Sequence, residues 1–325
     1  MATKNFETIW VPDAPPIPGL SFRSFQGESD YPHMLALINA AKAVDHDERS
    51  DTLEDVIRNY SHLTNCDPYR DMLFAEVDGQ PVAYSRLTWW TEEADGSYIY
   101  QSFGFVHPQW RRKGLGLAML HHNQVRLREI AAGHPAETNK LFDSFATNFE
   151  EGNQALLERD GYQPVRRFYM MTRPDLEDIP DLPLPDGLET RPARPEHYRQ
   201  IWDASQEAFR DHWGYAEPKE EDYQGWLVSK EFQPELWQVV WDGDQVAGMI
   251  LNFINHEENE EYGRKRGYTE GIAVRRPWRR RGLARAMLAR SLRMHRDLGM
   301  TETALGVDAE SLSGASRLYE SMGYR

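Results

Sequence analysis

Short runs of alternating hydrophobic and polar residues are separated along this chain by longer runs with helical spacing. The alternating runs predict half-buried β-strands, and the longer runs predict amphipathic helices. The first cycle begins with a strand at LSFRSF, continues through helical segments such as 33–43, and reaches a hairpin in MLFAEVDGQPVAYSRLTWW. A β-rich segment (SYIYQSFGFV), a Gly-rich loop that opens a helix, a further strand, a short helix and a last strand (VRRFYMMT) complete the cycle. The pattern predicts a mixed α/β domain.

The same order of elements occurs twice, at a nearly constant offset. VHPQWRRKGLGLAM at 106–119 matches VRRPWRRRGLARAM at 274–287, and Gly282 lies 168 residues after Gly114. Two further landmarks match in the same order, an Asp-Gly hairpin turn (VDGQPVA at 77–83, WDGDQVA at 241–247) and a Gly-Tyr ending (RDGYQPV at 159–165, SMGYR at 321–325). A repeat of this length indicates two duplicated domains.

The repeat predicts four segments: an N-terminal tail at 1–18, a first domain at 19–175, a Pro/Asp-rich linker at 176–187 and a second domain at 188–325. Prolines favour an extended, semi-rigid linker. The second copy stops at Arg325, where the first continues through VRRFYMMT. The second domain is therefore either truncated or completed by a strand from elsewhere.

Composition and charge narrow the classes of function. The 325 residues carry 52 acidic and 37 basic side chains, a net charge of −15, which argues against a nucleic-acid binder and favours cationic partners. No apolar run approaches the ~20 residues of a membrane helix. A single cysteine, Cys66, and no visible secretory signal lead us to expect a cytoplasmic protein without structural zinc.

The repeated Gly-rich loop predicts an anion site. It follows a strand and opens a helix, whose first free N–H groups and dipole attract negative charge. The loop matches neither GxGxxG nor GxxxxGK[ST], so the usual nucleotide motifs are excluded. The candidate residues in copy two are Arg279, Arg280, Arg281, Gly282, Leu283, Ala284 and Arg285. The copy-one candidates are Val106, Arg111, Arg112, Lys113, Gly114, Leu115 and Gly116.

RxxGx[GA] after a strand, followed by the ending AxxLYExxGY at 315–324, resembles the GCN5-related N-acetyltransferase (GNAT) family. The tandem arrangement is similar to mycothiol synthase-like two-domain members. The resemblance implies two domains, each a central mixed sheet flanked by helices, and binding of acetyl-CoA or another short acyl-CoA. It places the pyrophosphate on the amides of 279–285 and the pantetheine along Ile272, Ala273 and Val274. Ser311 falls where relatives often carry a cofactor-holding Asn.

Acyl transfer to an amine needs a base, a hydrogen-bond donor for the developing oxyanion and a proton donor for the departing thiolate. The family often places the last role on a tyrosine of the final short helix, here Tyr319, whose copy-one counterpart is Leu157. Glu270 is the candidate base, and the 168-residue offset pairs it with Ser102 in copy one. These differences predict chemistry in copy two.

Several alternatives stay open at this stage. Tyr319 could be a core residue, Glu270 a solvated strand carboxylate, and His212 the base instead. His212, Trp213 and Tyr215 are the candidate acceptor residues, and with the acidic charge they suggest a small cationic amine. The whole chain could be an acyl-CoA-binding module without chemistry, and the first copy could bind acyl-CoA or serve only as a structural half.

Overall fold

The chain forms two mixed α+β units, each with one mixed sheet flanked by helices, in a computed structural model that describes residues 8–311 and 314–325. The predicted fold class is confirmed. Among the described residues, unit 1 comprises those up to Gln163 together with Lys219–Gly225, and unit 2 comprises those of Pro164–Pro218 and Trp226–Arg325. None of the described helices combines the length and apolar character of a membrane span.

Unit 1 is built on a five-stranded sheet in the order β1-β2-β3-β4-β5, antiparallel except for the parallel β4–β5 pair. Its strands are β1 (Leu20–Ser24), β2 (Met72–Val77), β3 (Gln80–Thr91), β4 (Tyr98–Val106) and β5 (Lys140–Asp143). Its helices are α1 (Tyr31–Asp45), α2 (Leu53–Ser61), α3 (Pro68–Asp71), α4 (Leu115–Ala132) and α5 (Glu151–Arg159).

Unit 2 contains a six-stranded sheet in the order β6-β11-β10-β9-β8-β7, in which only β10 and β11 run parallel. Its strands are β6 (Phe168–Arg173), β7 (Glu189–Thr190), β8 (Gln238–Asp242), β9 (Gln245–Phe253), β10 (Arg266–Val274) and β11 (Glu302–Asp308). The remaining helices are α6 (Tyr198–Phe209), α7 (Glu220–Leu227), α8 (His256–Glu261), α9 (Leu283–Asp297) and α10 (Ala315–Glu320). Most of α7 is assigned to unit 1.

Helix α9 covers one face of the unit 2 sheet because its apolar residues recur at helical spacing. Leu283, Met287 and Leu292 are fully buried and pack in one cluster with strand residues such as Ile250 and Leu305. Truncating a buried leucine of this kind typically costs ~2–5 kcal/mol. The helix that follows the Gly-rich loop is therefore fixed to the sheet.

Strand β6 belongs to unit 2, so its assignment to the first copy is wrong. It pairs antiparallel with β11 from Thr303↔Arg173 to Asp308↔Phe168. At the same edge, Thr172 and Arg325 exchange two backbone hydrogen bonds of 3.0 Å. Strand β6 thus occupies the place beside β11 for which the second copy, as far as Arg325, has no strand of its own.

The buried Arg173 at the end of β6 fixes the turn that follows α10. Its guanidinium donates to the main-chain carbonyls of Asp175, Glu177 and Met322. The Tyr324 hydroxyl in the same turn hydrogen-bonds to Thr269 (2.7 Å). These contacts position α10 against the ends of β10 and β11.

The Pro/Asp-rich segment at 176–187 packs against unit 2. Leu176 is buried in the same cluster as α9, and Ile179, Leu182 and Leu184 lie against that cluster. Arg293 of α9 donates to the Pro180 carbonyl (3.0 Å). The segment contains neither helix nor strand, bends at Asp178 (φ +46°), and contributes its apolar residues to the unit 2 core.

Candidate active site

Strands β10 and β11 separate near the middle of the unit 2 sheet. They pair only at Arg266↔Glu302, Gly267↔Thr303 and Tyr268↔Ala304, while β11 continues to pair with β6 as far as Asp308. Beyond Tyr268, the N–H of Gly306 donates to the Glu270 carboxylate (2.6 Å) and not to a strand carbonyl. The separation leaves an open wedge, and the β10 residues Ile272, Ala273 and Val274 form one side of it.

A one-residue bulge redirects β10 at the start of this wedge. The register changes between Glu270↔Leu251 and Ala273↔Met249, and Gly271 between them has φ +57°. A Cβ atom at Gly271 would lie 3.0 Å from the Leu251 side chain. Glycine therefore suits this position because of the positive φ angle and because there is little room for a side chain. The register of β4 in unit 1 is regular from Thr91↔Tyr98 to Ala83↔Val106. The bulge therefore distinguishes the two units.

Because of this bulge, the copy-one counterpart that the sequence repeat gives for Glu270 has to be changed. The terminal pairs of the two hairpins are Val77↔Gln80 and Asp242↔Gln245, which gives a structural offset of 165 between β3 and β9. With that offset, the pair Leu251↔Glu270 matches Arg86↔Phe103. Phe103 is thus the counterpart of Glu270, and Ser102 is the counterpart of Thr269. Equating Ser102 with Glu270 was wrong because the bulge adds one residue to β10.

The partly buried Glu270 carboxyl group has a pKa close to neutral pH. Burial raises its pKa to about 7, and the hydrogen bond from the Gly306 N–H opposes the increase. A carboxyl group with this pKa exchanges a proton near pH 7. Its position at the wedge and its proton affinity are those that a general base requires.

Tyr319 on α10 lies close to Glu270. Burial and the charge of Glu270 raise the pKa of its phenol far above the ordinary value, so the hydroxyl keeps its proton. No described residue forms a hydrogen bond with this hydroxyl. In unit 1, Leu157 occupies the same place, because Tyr162→Leu157 and Tyr324→Tyr319 are equivalent backbone hydrogen bonds. The two candidate catalytic residues therefore come together only in unit 2.

The loop before α9 presents unpaired backbone donors. Gly282 caps the helix with φ +82°, and the N–H groups of residues 281–285 have no backbone acceptor in the described part of the chain. A Cβ atom at Gly282 would meet no atom within 4 Å, so the outer side of the loop is open. Free donors at a helix N-terminus beside an open strand edge fit the pyrophosphate and the amide-containing pantetheine of an acyl-CoA.

The arginines of this loop differ in their surroundings. Arg279 donates to the Val274 carbonyl (2.9 Å) and to the Asp211 carboxylate (2.7 Å). Asp211 also pairs with Arg276, and the two arginines hold the pKa of that carboxyl well below its usual range. The exposed Arg280 has φ +62°, and Arg281 reaches the Asp186 carbonyl (3.3 Å). Arg279 thus holds the loop in shape, and the exposed Arg280, Arg281 and Arg285 are the arginines of this loop that pair with no described carboxylate.

The loop of unit 1 has the same backbone form but different surroundings. Arg111 donates to the Val106 carbonyl (3.0 Å) and pairs with Asp45, as Arg279 does with Asp211. Arg112 and Gly114 also repeat the positive φ angles, at +62° and +87°. Lys113 lies over the Trp110 ring, and Pro15 lies 3.5 Å from the place of a Gly114 Cβ atom. The N-terminal segment therefore partly covers this loop, whereas the Gly282 loop is open.

Of the predicted acceptor residues, His212 and Trp213 lie near the open end of the wedge, and Tyr215 follows in the same loop. His212 is near Asp308, the last residue of β11, and its pKa is lowered mainly by desolvation. The exposed Trp213 has the Arg166 guanidinium 5.6 Å from its ring centroid and Phe168 at 6.4 Å. The Tyr215 hydroxyl donates to Glu217 (3.4 Å). The three rings share one loop, and each has a partner of its own.

Ser311 lies in the turn that leads from β11 toward α10. Its N–H donates to the Asp308 carbonyl (3.1 Å), and its carbonyl accepts from the Gly314 N–H (3.2 Å). The backbone of Ser311 therefore shapes this turn, and a role of its side chain toward a cofactor stays a prediction.

Two residues of the site escaped the sequence analysis. Gly306 anchors the Glu270 carboxylate through its N–H, and a glycine inside the apolar strand ETALGVD was an available signal of close approach. Asp211 fixes Arg276 and Arg279, which lie 65 and 68 residues away in sequence. No local pattern in the sequence predicts that partnership.

The split sheet, the bulged strand and the donor loop together define an acyl-CoA-dependent N-acetyltransferase fold. The sequence pattern of the acetyltransferase (GNAT) family matches residues 34–137 and 198–324, and the chain belongs to this family. It is 26% identical to a mycothiol acetyltransferase of Salinispora arenicola over 306 residues, which are 91% of each protein. It is 30% identical to that of Salinispora tropica over 227 residues, 67% of each.

Solved structures agree with this classification. A GCN5-related N-acetyltransferase from Sphaerobacter thermophilus superimposes with a TM-score of 0.68 at 26% identity, covering 94% of this chain and 92% of that one. A tandem GNAT protein from the clavulanic acid biosynthesis pathway shares the fold, with a TM-score of 0.62 at 14% identity, covering 94% and 95%. The predicted tandem GNAT architecture and the enzyme class are confirmed.

Proposed function

We propose that unit 2 transfers the acetyl group of acetyl-CoA directly to the amine of a small molecule. The observation that carries the proposal is the closeness of Glu270, with a pKa of about 7, to the protonated Tyr319 beside the wedge between β10 and β11. Unit 1 has Phe103 and Leu157 at these two places. Neither side chain carries a proton that acyl transfer could use.

In the proposed site, the amides of 281–285 and the exposed Arg280, Arg281 and Arg285 hold the pyrophosphate, and Ile272–Val274 hold the pantetheine. Bound acetyl-CoA supplies the acetyl group as a thioester that is activated toward an amine. The Glu270 carboxylate accepts a proton from the amine, directly or through a water molecule. The Tyr319 hydroxyl holds the proton that the departing sulfur needs.

The acceptor is proposed to be a cationic aminated metabolite or an amino sugar. The relatives are named as mycothiol acetyltransferases, and their name supports a small-molecule acceptor. The net charge of −15 favours the approach of a cation. The loop of His212, Trp213 and Tyr215 lies beside the wedge, where an acceptor would enter.

A panel of amines tests this function. Acetyl-CoA with amino sugars, polyamines and aryl-alkyl amines is expected to release thiol well above background for at least one small amine. Carboxylic acids and alcohols of similar size serve as controls and should release none. Binding of acetyl-CoA without thiol release across the panel would favour the alternative, a non-catalytic acyl-CoA-binding module.

The pH dependence of the reaction tests Glu270. Since the base must be ionised, kcat/KM should rise with pH through a limb near pH 7. The limb should keep its position with two amines of different pKa, because it belongs to the enzyme and not to the substrate. Glu270→Gln should remove it and lower kcat/KM by ~10²–10⁴-fold.

The matched control for this change is Glu260→Gln, on the exposed side of α8. It makes the same chemical change outside the wedge and should leave the profile intact. If Glu270→Gln keeps the wild-type pH profile, Glu270 is not the base, and His212 or solvent accepts the proton instead.

A further inference from the structure

Unit 1 contains a pocket of about 420 Å³ on the face of its sheet that α1 and α2 cover. This volume lies within the ~300–1,000 Å³ of ordinary small-molecule sites. Its floor consists of alternate residues of two neighbouring strands, Tyr84, Arg86 and Thr88 from β3 with Phe103 and Phe105 from β4. The pocket lies entirely within unit 1, and the chemistry proposed for unit 2 makes no use of it.

Arg86 is the unusual member of this floor. Its guanidinium lies over two rings, 5.0 Å from the centroid of Tyr60 and 4.7 Å from that of Phe103. Its Nε atom is buried without a hydrogen-bond partner, and no described carboxylate lies within ion-pair distance. Buried cations are normally paired, because removing a charge from water is costly.

The other arginines of unit 1 follow that rule. The exposed arginines reach solvent. Each buried or half-buried arginine apart from Arg86 has a carboxylate partner among the described residues. The paired ones are Arg23, Arg49, Arg58, Arg111 and Arg126. Arg86 is therefore a positive group that lacks an anion, at the floor of a pocket lined with rings.

The same place in unit 2 has the opposite polarity. The strand pair Arg86↔Phe103 corresponds to Leu251↔Glu270, so unit 1 has a cation beside an aromatic ring where unit 2 has a carboxylate beside an aliphatic residue. A site of this polarity repels an ammonium group and attracts an anion. The second guanidinium at the pocket, Arg49, is paired with Asp51 (2.5 Å), so one positive charge is left for a ligand.

We propose that this pocket of unit 1 binds a small organic monocarboxylate with an aromatic or branched apolar body. The planar fork of Arg86 matches a carboxylate, and one unpaired cation balances one negative charge. Tyr60, Tyr84, Phe103 and Phe105 supply the apolar walls for the body of the ligand. The site is distinct from the acyl-CoA site of unit 2.

Calorimetric titration and saturation-transfer NMR of the full chain test the proposal with benzoate, cyclohexanecarboxylate and 3-phenylpropanoate as probes. At least one of them is expected to bind saturably at one site per chain. Its neutral amide and the corresponding amine, benzamide and benzylamine for benzoate, should bind ~10-fold more weakly or not at all, because a charge-assisted hydrogen bond is lost. Equal binding of acid and amide, or no saturable binding of any acid up to 10 mM, would overturn the proposal.

Arg86→Leu installs the residue that unit 2 has at this place, and it should weaken binding of the acid ~10-fold or more with little effect on the amide. Arg86→Lys, which keeps the charge and loses the fork, should give an intermediate affinity. Arg128→Leu is the matched control, since this exposed arginine lies over Phe142 outside the pocket. Unchanged acid binding in a folded Arg86→Leu protein would contradict the assignment, and the wild-type acid–amide comparison decides the matter if that variant fails to fold.

Discussion

Tyr319→Phe is expected to lower turnover by ~10²–10⁴-fold while the affinity for acetyl-CoA stays within a few fold. The substitution removes one hydroxyl group, which keeps its proton because burial and Glu270 raise its pKa. The ring stays and preserves the packing of α10 against the sheet. The loss should appear in kcat, measured by thiol release, since the hydroxyl acts on the departing sulfur and contributes little to binding.

Tyr324→Phe provides the control for a lost hydroxyl in the same turn. The Tyr324 hydroxyl is bound by Thr269 and Thr303, so its removal should lower thermal stability and leave turnover within a few fold. The reverse pattern, with full activity in Tyr319→Phe and loss in Tyr324→Phe, would refute the role given to Tyr319. If both variants keep wild-type turnover, the departing sulfur receives its proton from solvent and not from a tyrosine.

Gly282→Val is expected to weaken acetyl-CoA binding strongly and, with it, to lower turnover. A side chain at this position projects into the open space before the donor loop and keeps the phosphates away from the amides of 281–285. Two lost hydrogen bonds to a charged group, at ~1.5–3 kcal/mol each, correspond to roughly 100-fold or more in affinity. Calorimetric titration with acetyl-CoA measures this loss.

Gly114→Val is a closely matched control, because Gly114 caps α4 with φ +87° as Gly282 caps α9 with φ +82°. Both variants place a β-branched residue in a left-handed conformation, so the backbone strain is the same. The Gly114→Val enzyme should keep its turnover. The number of acetyl-CoA molecules bound per chain, measured by calorimetry for each variant, shows how many sites each unit has. Loss of turnover in Gly114→Val alone would place the chemistry in unit 1.

The sequence was sufficient for the features that repeat locally. The two copies of the Gly-rich loop predicted two donor loops, and both have the same backbone form, down to the positive φ angles of Arg112 and Arg280. The comparison of the two Gly-Tyr endings singled out Tyr319 against Leu157, and the equivalent turns support that comparison. Local motifs succeed here because a helix cap and a tight turn depend on a few consecutive residues.

Features that depend on residues far apart along the chain could not be predicted from the sequence. The alternation in VRRFYMMT predicted a strand, yet nothing in it identified β11 as its neighbour. The offset of 168 failed at Ser102, because a bulge at Gly271 changes the register inside an otherwise matching strand. The motif named Arg279 as a cofactor-binding candidate, but it gave no sign of the ion pair between this arginine and Asp211, which lies 68 residues earlier.

The position of β6 has a consequence for how this protein is made. Its partners in β11 follow between 130 residues (Arg173 to Thr303) and 140 residues (Phe168 to Asp308) later in the chain. At ~5–20 residues per second, β6 leaves the ribosome several seconds or more before its partner exists. Unit 1 pairs none of its strands with β6 and is free to fold during that interval. The sheet that carries Glu270 is completed only when synthesis reaches β11, so in the nascent chain the backbone of Phe168, Tyr169 and Met170 lacks the strand partner that it has in the finished fold.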